Sequence, residues 1–467
     1  GKRHVEDHGM SDDSRERDEV VRVELLTLGD ELLRGDVVDG NAAWLGARLH
    51  AQGLEVHHVT TVGDAEDDIV GALRAAAHRA RVVVVSGGLG PTDDDRTFGA
   101  VARVAGVERF RSDAAFEHIK ELFERAGRRL TPNNESQAWV PAGADVLINE
   151  KGTAPAIHLS LEIAGQAPSE VFCLPGVPRE LRWLYDRYVG PWLGEHLEVS
   201  PPERRTLKIF GLGESTVDHR LADLLTRDRR SGEEPCEVSL HYRAVFPENH
   251  VTLLVHPRRA EREVARSLAH RLAEEANKRL GFYVFSRGGE TFPEALVRGL
   301  RDAEASVALA ESCTGGRAAD LLTNASGSSE VFQLGIVAYA NAMKRDLLSV
   351  PSEVLDRQGA VSKACVEAMA QGVRRLAGAT YGVAISGIAG PDGGTRAKPV
   401  GTVYFALDSE AGTRHLHRIF PYDRDWNKEL AAYVALWLVH REIHGDPGGT
   451  GSTDLLDGRW RAGERDG

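Results

Sequence analysis

The chain has 467 residues, room for about three domains at roughly 150 residues each. A formal charge of −13 argues against a general nucleic-acid-binding surface. Four scattered cysteines with no C-x-x-C pair argue against a zinc site or a disulfide framework, and point to reduced thiols in a cytoplasmic protein.

Residues 1–20 read as a polar, disordered tail without a signal-peptide core. "VRVELLTL" (21–28) is a strand, and "NAAWLGARLHAQG" a helix with Leu45 and Leu49 four apart, stopped by Gly53. "LEVHHVTTVGD" is extended. "DDIVGALRAAAHRA" places Ile69, Leu73 and Ala77 on one helical face, and the four valines of "RVVVVSGG" mark a strand buried on both faces. This βαβαβ order predicts a parallel sheet with right-handed crossovers. The double proline of "EHLEVSPPERRT" suggests a linker. Residues 205–285 then read as a small α+β module closed by the amphipathic helix "EREVARSLAHRLAEEANKRLG". The third segment, 290–443, opens with helix "FPEALVRGLRDAEA" and strand "SVALA". It continues with strand "VFQLGIVAYA", helix "SKACVEAMAQGVRRLAGA" capped by Ser362, strands "YGVAIS" and "GTVYFAL", and helix "DWNKELAAYVALWLVHREIH". Residues 445–467 read as a second disordered tail. No apolar run approaches the ~18 residues of a membrane-spanning helix.

Three stretches in the first segment follow strand ends, where open parallel sheets bind ligands. "GDELLRGDVVDGNAAWL" supplies Glu31 and Asn41, "VGDAEDD" supplies Asp64, and "SGGLGPTDDDRT" supplies Gly87, Gly88, Gly90, Asp93, Asp94 and Asp95. Glycines there let backbone N–H groups approach a phosphate. Successive aspartates tolerate a phosphate only with a divalent cation between, and carboxylates suit magnesium. The plainer alternative is a solvated acidic turn capping the next helix.

In the third segment "AESCTGG" places Ser312 and Cys313 between a buried strand and a helix start, where N–H groups can hold an oxyanion. A serine needs a base, and a lysine serves if desolvation lowers its pKa. "VAYANAMK" offers Tyr339, Asn341 and Lys344. Cys313 is the stronger nucleophile by element but has no evident histidine partner. From the residues alone, a Ser312–Lys344 dyad competes with a helix cap and an ordinary exposed lysine.

Taken together these motifs resemble the CinA (competence- and damage-inducible) family. Residues 21–195, through "GDELLRGDVVDGNAAWL", "GGLGPTDDDRT", "NNESQA", "GTAP" and "LPGVPREL", resemble its molybdopterin-binding-like N-terminal domain of the MogA and MoaB type. That resemblance implies metal-dependent hydrolysis of ADP-ribose, with Asp95 and Asp64 on the ligand alongside Gly87, Gly88 and Gly90. The divalent metal would sit on Glu31, Asp93, Asp94 and Asp95. Residues 205–285, with "GLGES", resemble the small KH-like domain. Without a basic stripe this reads as a spacer or dimerisation module, and nucleic-acid binding is not expected. Residues 290–443, through "AESCTGG", "YANAMK", "GAVS", "SGIAGPDGGTRAKPVGTVY" and "DRD", resemble the CinA C-terminal domain, known alone as the PncC-type nicotinamide mononucleotide (NMN) amidohydrolase.

The family's catalytic residues fall on Ser312, Lys344 and Tyr339, and its substrate contacts on Glu311, Cys313, Thr314, Gly315, Gly316, Asn341, Gly390, Asp392 and Arg424. No cofactor is implied for the deamidase, and the family pattern implies a homodimer. The chain departs from that pattern at Ala156, at Ala338 and Ala340 on either side of Tyr339, and at Lys428, near which an arginine is usual. A ligand-binding or competence-associated scaffold without N-terminal hydrolase activity is the other reading.

Overall fold

The structure is a computed structural model that describes residues 21–92, 94–197, 199–225, 236–257 and 261–445, and the backbone of 461–462. Asp93 and the tail at 1–20 lie outside the described residues. The chain forms two compact units, the first ending at Pro202 and the second running from Glu203 onward apart from His256–Arg258.

The first unit runs β1 (Arg22–Leu28), α1 (Asp30–Leu33), α2 (Gly40–Ala51), β2 (Glu55–Val62), α3 (Glu66–Arg79), β3 (Val82–Ser86) and α4 (Thr97–Ala105). It continues with β4 (Arg109–Arg111), α5 (Asp113–Arg125), α6 (Pro132–Ser136), β5 (Trp139–Pro141), β6 (Asp145–Leu147), β7 (Ala156–Leu161), β8 (Ser169–Leu174), α7 (Pro178–Leu184) and α8 (Gly190–His196). The main sheet has the order β2-β1-β3-β8-β7-β6. β2, β1, β3 and β8 are parallel. β7 and β6 add an antiparallel edge that the parallel-sheet expectation lacks.

The four valines explain why the sheet carries helices on both faces. Val83 and Val85 join a core with Ile69 and Leu73 of α3 and Val101 of α4. Val82 and Val84 join a separate core with Leu45 and Leu49 of α2 and Leu181 of α7. Alternation along one strand thus feeds two cores. The β1–β3 register, Thr27 beside Ser86, brings the loops after both strands to one edge.

The second unit begins with β9 (Glu203–Ile209), α9 (Glu214–Leu221), β10 (Cys236–Val245), β11 (Glu248–Pro257), α10 (Arg262–Leu280) and β12 (Val284–Ser286), in a sheet of order β10-β11-β9-β12. It continues with α11 (Phe292–Asp302), β13 (Val307–Glu311), α12 (Arg317–Thr323), β14 (Phe332–Val337), α13 (Asn341–Leu348), α14 (Ser352–Arg357) and α15 (Lys363–Ala377). β15 (Tyr381–Gly387), β16 (Thr402–Ser409), β17 (Gly412–Ile419), α16 (Arg424–His444) and β18 (Arg461–Ala462) complete it. The order is β14-β13-β15-β16-β17-β18, parallel across β14, β13 and β15 and antiparallel beyond. Of the expected tail at 445–467, only Gly445 and the two residues of β18 are described.

β13 repeats the valine device. Val307 and Leu309 face the core built on α11, α12 and α16, while Ala308 and Ala310 face the one built on α15. Ser362 caps α15, accepting from Cys365 N–H at 3.3 Å.

The middle module is no detached spacer. Phe210, at the end of β9, is fully buried in the same core as α11 and α16, with ring centroids 6.1 Å from Phe292 and 5.2 Å from Trp437. Phe210→Ala removes an aromatic from a core shared by both parts, and a loss of about 3–5 kcal/mol is expected. Hydrogen exchange on the full chain checks it: β9 and α16 amides should lose protection together, whereas loss confined to β9 would contradict a shared core.

Candidate active site

The C-terminal site starts at the end of β13. Glu311 is 1% exposed, which would be costly for a carboxylate without partners. Its partners come from the chain that follows. Thr314 Oγ donates to Oε2 at 2.6 Å, as do the N–H groups of Gly316 at 3.0 Å and Ala318 at 3.1 Å, and Ala319 N–H donates to Oε1 at 2.8 Å. Ala318 and Ala319 lie in the first turn of α12, whose N–H groups have no intrahelical acceptor. The carboxylate therefore ties strand, loop and helix together. Gly315 and Gly316 make the loop possible by adopting φ of +65° and +96°.

Ser312 and Cys313 leave this anchor in different directions. Ser312 Oγ lies 3.1 Å from Lys344 Nζ. Cys313 joins the hydrophobic core, where burial pushes its thiol up to about 12, opposed weakly by nearby backbone N–H groups. Lys344 sits in the first turn of α13 and is 1% exposed. Its Nζ also donates to the carbonyls of Ala338 at 2.8 Å and Tyr339 at 3.0 Å. Burial lowers its pKa from the ordinary lysine value, against a smaller opposite pull from Cys365 and Cys313. β14 stops at Val337, short of the expected Ala340. The two carbonyls beyond it are taken by Lys344.

The other expected site residues are distributed unevenly. Tyr339 offers Lys344 its carbonyl, while its side chain is 64% exposed. Asn341 is exposed at the start of α13. Gly390 accepts from Arg424 Nη1 at 2.5 Å, linking the loop after β15 to the first turn of α16, and Asp392 is exposed in that loop. Glu311 turns its oxygens to its own loop. Two neighbours had no role assigned from sequence. A Cβ on Gly315 would lie 3.8 Å from Lys428 Nζ, which brings that cation beside the glycine loop. Asn427 is buried and donates to Ala389 O at 3.1 Å and Tyr422 O at 2.8 Å. It lies in the polar first turn of α16, before the apolar run, so the sequence carried no signal for it.

In the first unit, Gly87 has φ +111°, and a Cβ there would lie 2.6 Å from Leu28 O, so the loop after β3 closes directly on the end of β1. Asn41 donates to Ser86 Oγ at 3.2 Å and Gly176 O at 2.7 Å. Asp39 caps α2, accepting from Ala42 N–H at 2.9 Å. Asp64 Oδ2 accepts from Asp30 N–H at 3.2 Å, and Asp64 N–H donates to Asp30 Oδ1 at the same distance. Burial, with repulsion from Asp30, Glu31 and Asp94, raises the Asp64 carboxyl above its usual range against that N–H contact.

Asp95 folds back on its own loop, accepting from Thr92 N–H at 2.8 Å and Thr92 Oγ at 2.7 Å. The expected ligands Glu31, Asp94 and Asp95 are not drawn into one shell. Among the described residues, no three histidine, cysteine, aspartate or glutamate side chains are placed to hold a metal ion. The chemistry of the crevice still fits a hard cation or a ligand donor: Asp39 Oδ2 and Asn41 Oδ1 are buried without a hydrogen-bond partner.

Fold and sites define a three-part α/β protein: a molybdopterin-binding-type sheet domain, a KH-like module and a CinA-type C-terminal domain. Family profiles match in the same order, "Probable molybdopterin binding domain" over 24–195, "Damage-inducible protein CinA KH domain" over 204–286 and "CinA C-terminal domain" over 289–443. A CinA-like protein of Anaeromyxobacter sp. (strain K) is 44% identical over 421 residues, covering 90% of this chain and 99% of the relative. One from Geobacter sulfurreducens is 41% identical over 424 residues, covering 90% and 99%. The chain belongs to the CinA family. Among solved structures, CinA from Thermoplasma acidophilum is 33% identical, covering 36% of this chain and 96% of that one with a TM-score of 0.33. Among the described residues no helix is long and apolar enough to cross a membrane.

The anchoring role of Glu311 has a direct consequence. Glu311→Gln sets an amide N–H₂ against backbone donors, and a loss of about 2–3 kcal/mol is expected in urea denaturation. A variant as stable as the parent would remove Glu311 from that role.

Proposed function

We propose that the C-terminal domain hydrolyses the carboxamide of NMN to nicotinate mononucleotide and ammonia. The observation that carries this is the fully buried Lys344 with Nζ 3.1 Å from Ser312 Oγ. A neutral amine has two hydrogens and one lone pair. With the hydrogens on the carbonyls of Ala338 and Tyr339, the lone pair is left for the Ser312 hydroxyl proton. Ser312 Oγ attacks the carboxamide carbon as Lys344 takes that proton. The N–H groups of Ser312, Gly315 and Gly316 are already spent on Ile385 O, Ser312 O and Glu311. Those of Cys313 and Thr314 lie near the Cys313 thiol and would serve the oxyanion. Lys344 returns the proton to the departing nitrogen, ammonia leaves, and water cleaves the acyl-enzyme to the carboxylate and free Ser312. Lys428, beside Gly315, and Arg424, on Gly390 O, are the cations that would suit the substrate phosphate. Tyr339, exposed and with its carbonyl on Lys344, would contact the substrate rather than move the proton.

Ammonia release from NMN by the full chain tests this. Ser312→Ala and Lys344→Met should each lose about 10³-fold or more in kcat, while Cys313→Ala keeps parental activity. Parental turnover in S312A would sink the proposal. The pH dependence has a definite sign. Lys344 must be neutral to act, so kcat rises with pH through its folded pKa and levels off above it. Because burial lowers that pKa, the midpoint of the rise should lie below the ordinary lysine value of 10.5. A midpoint at or above that pH would contradict a buried lysine base.

For the N-terminal domain we propose metal-dependent hydrolysis of pyrophosphates of the ADP-ribose type, ADP-ribose being the expected substrate. The buried, unpartnered oxygens of Asp39 and Asn41 at the crevice favour it over an inert scaffold. Glu31, Asp94 and Asp95, with Asp93, would hold a divalent cation such as magnesium, which supplies charge neutralisation of the pyrophosphate when bound. Gly87, Gly88 and Gly90 would let backbone approach the phosphates, and Asp64 would face the ligand. EDTA should abolish ADP-ribose cleavage and magnesium restore it. Cleavage that survives both EDTA and D94A/D95A would reject the metal-dependent mechanism, and no cleavage by the parent chain with magnesium would leave the second reading, a pterin- or nucleotide-binding domain without hydrolysis. A homodimer that binds nucleotides but no nucleic acid completes the proposal.

A further inference from the structure

We propose that the hairpin of β10 and β11 in the KH-like module positions the C-terminal site through α16, with Phe246 and Glu248 as its positioning residues. Only the kinetic readout below rests on the deamidase reading. The Phe246 ring lies 3.9 Å, centroid to centroid, from Trp426 and 5.5 Å from Tyr422. Glu248, buried at the start of β11, accepts from Tyr433 Oη at 3.2 Å. Trp426 and Tyr433 are seven residues apart, so they share one face of the helix. Phe210 extends the same contact to Tyr433 at 5.6 Å and Trp437 at 5.2 Å. The middle module thus grips one stripe of α16 along about three turns.

The first two turns of that helix carry the groups facing the site. Arg424 holds Gly390 O, Asn427 holds Ala389 O, and Lys428 stands by Gly315. Arg317 of α12 is tied to Asp425 at 2.9 Å and to Glu429 at 3.4 Å. The start of α16 is therefore fixed from the hairpin on one side and from α12 and the loop after β15 on the other. Ser312, just past β13, and Lys344, on α13, make no use of this grip. Loosening it should move the substrate-facing cations and leave the dyad intact.

That separation sets the test, on the full chain. Phe246→Ala should raise the KM for NMN about tenfold, with kcat and its pH profile changed by less than about twofold. Phe246→Trp should restore KM. Glu248→Gln, which keeps an acceptor for Tyr433, should behave as the parent, and Glu248→Ala as F246A. Independently of activity, amides of Trp426 to Lys428 should exchange about tenfold faster in F246A. Unchanged exchange at those amides overturns the proposal, as does a loss in kcat with KM unaltered. If the parent chain releases no ammonia from NMN, the deamidase reading fails and the exchange measurement still decides the positioning role.

Discussion

Four hydrogen-bond donors converge on the carboxylate of Glu311, and the C-terminal site is arranged around that convergence. A buried carboxylate is tolerable only when its oxygens are satisfied. Here the donors all come from the stretch Thr314 to Ala319, just beyond the strand, so burying the charge and shaping the loop are one event. The strand cannot present Glu311 without drawing α12 in behind it. The negative charge also meets the positive end of that helix, which adds to the attraction.

With the loop fixed, neighbouring side chains acquire opposite fates. Cys313 is driven into the core, where the thiol stays protonated and is shielded from reagents. Ser312 is held against Lys344. Among the described residues the lysine meets two carbonyls and a hydroxyl, and no carboxylate is hydrogen-bonded to it. Carbonyl dipoles alone do not repay the desolvation of an ammonium, so the pKa falls. The same burial that makes the group costly to charge makes it a base.

Much of this was legible in the sequence because it depends on local pattern. Four valines predicted a strand buried on both faces, and each face found its core. "ESCTGG" after an apolar strand predicted a loop entering a helix, and Ser362 predicted a cap. What was not legible is set by contacts distant in sequence. Glu311 reads as a substrate ligand until its oxygens are seen turned inward. Asp95 reads as a metal ligand, and one of its oxygens, Oδ2, is held by Thr92. The end of β14 was misplaced because Ala338 and Tyr339 carry strand-like side chains while their carbonyls belong to Lys344.

The middle module was harder to read for a related reason. Its own core, around Val217, Leu253 and Leu272, is ordinary and predictable from periodicity. Its function in the fold lies in Phe210, Phe246 and Glu248, which sit at strand ends and serve another domain's helix. No pattern within residues 203–286 marks them. The counterpart pattern is in α16, where Trp426, Tyr433 and Trp437 form an aromatic stripe on a helix whose other faces pack on its own domain. An apolar surface that wraps the whole helix signals burial on all sides. For α16 that means two domains share it, and the geometry at its first turn is a property of both.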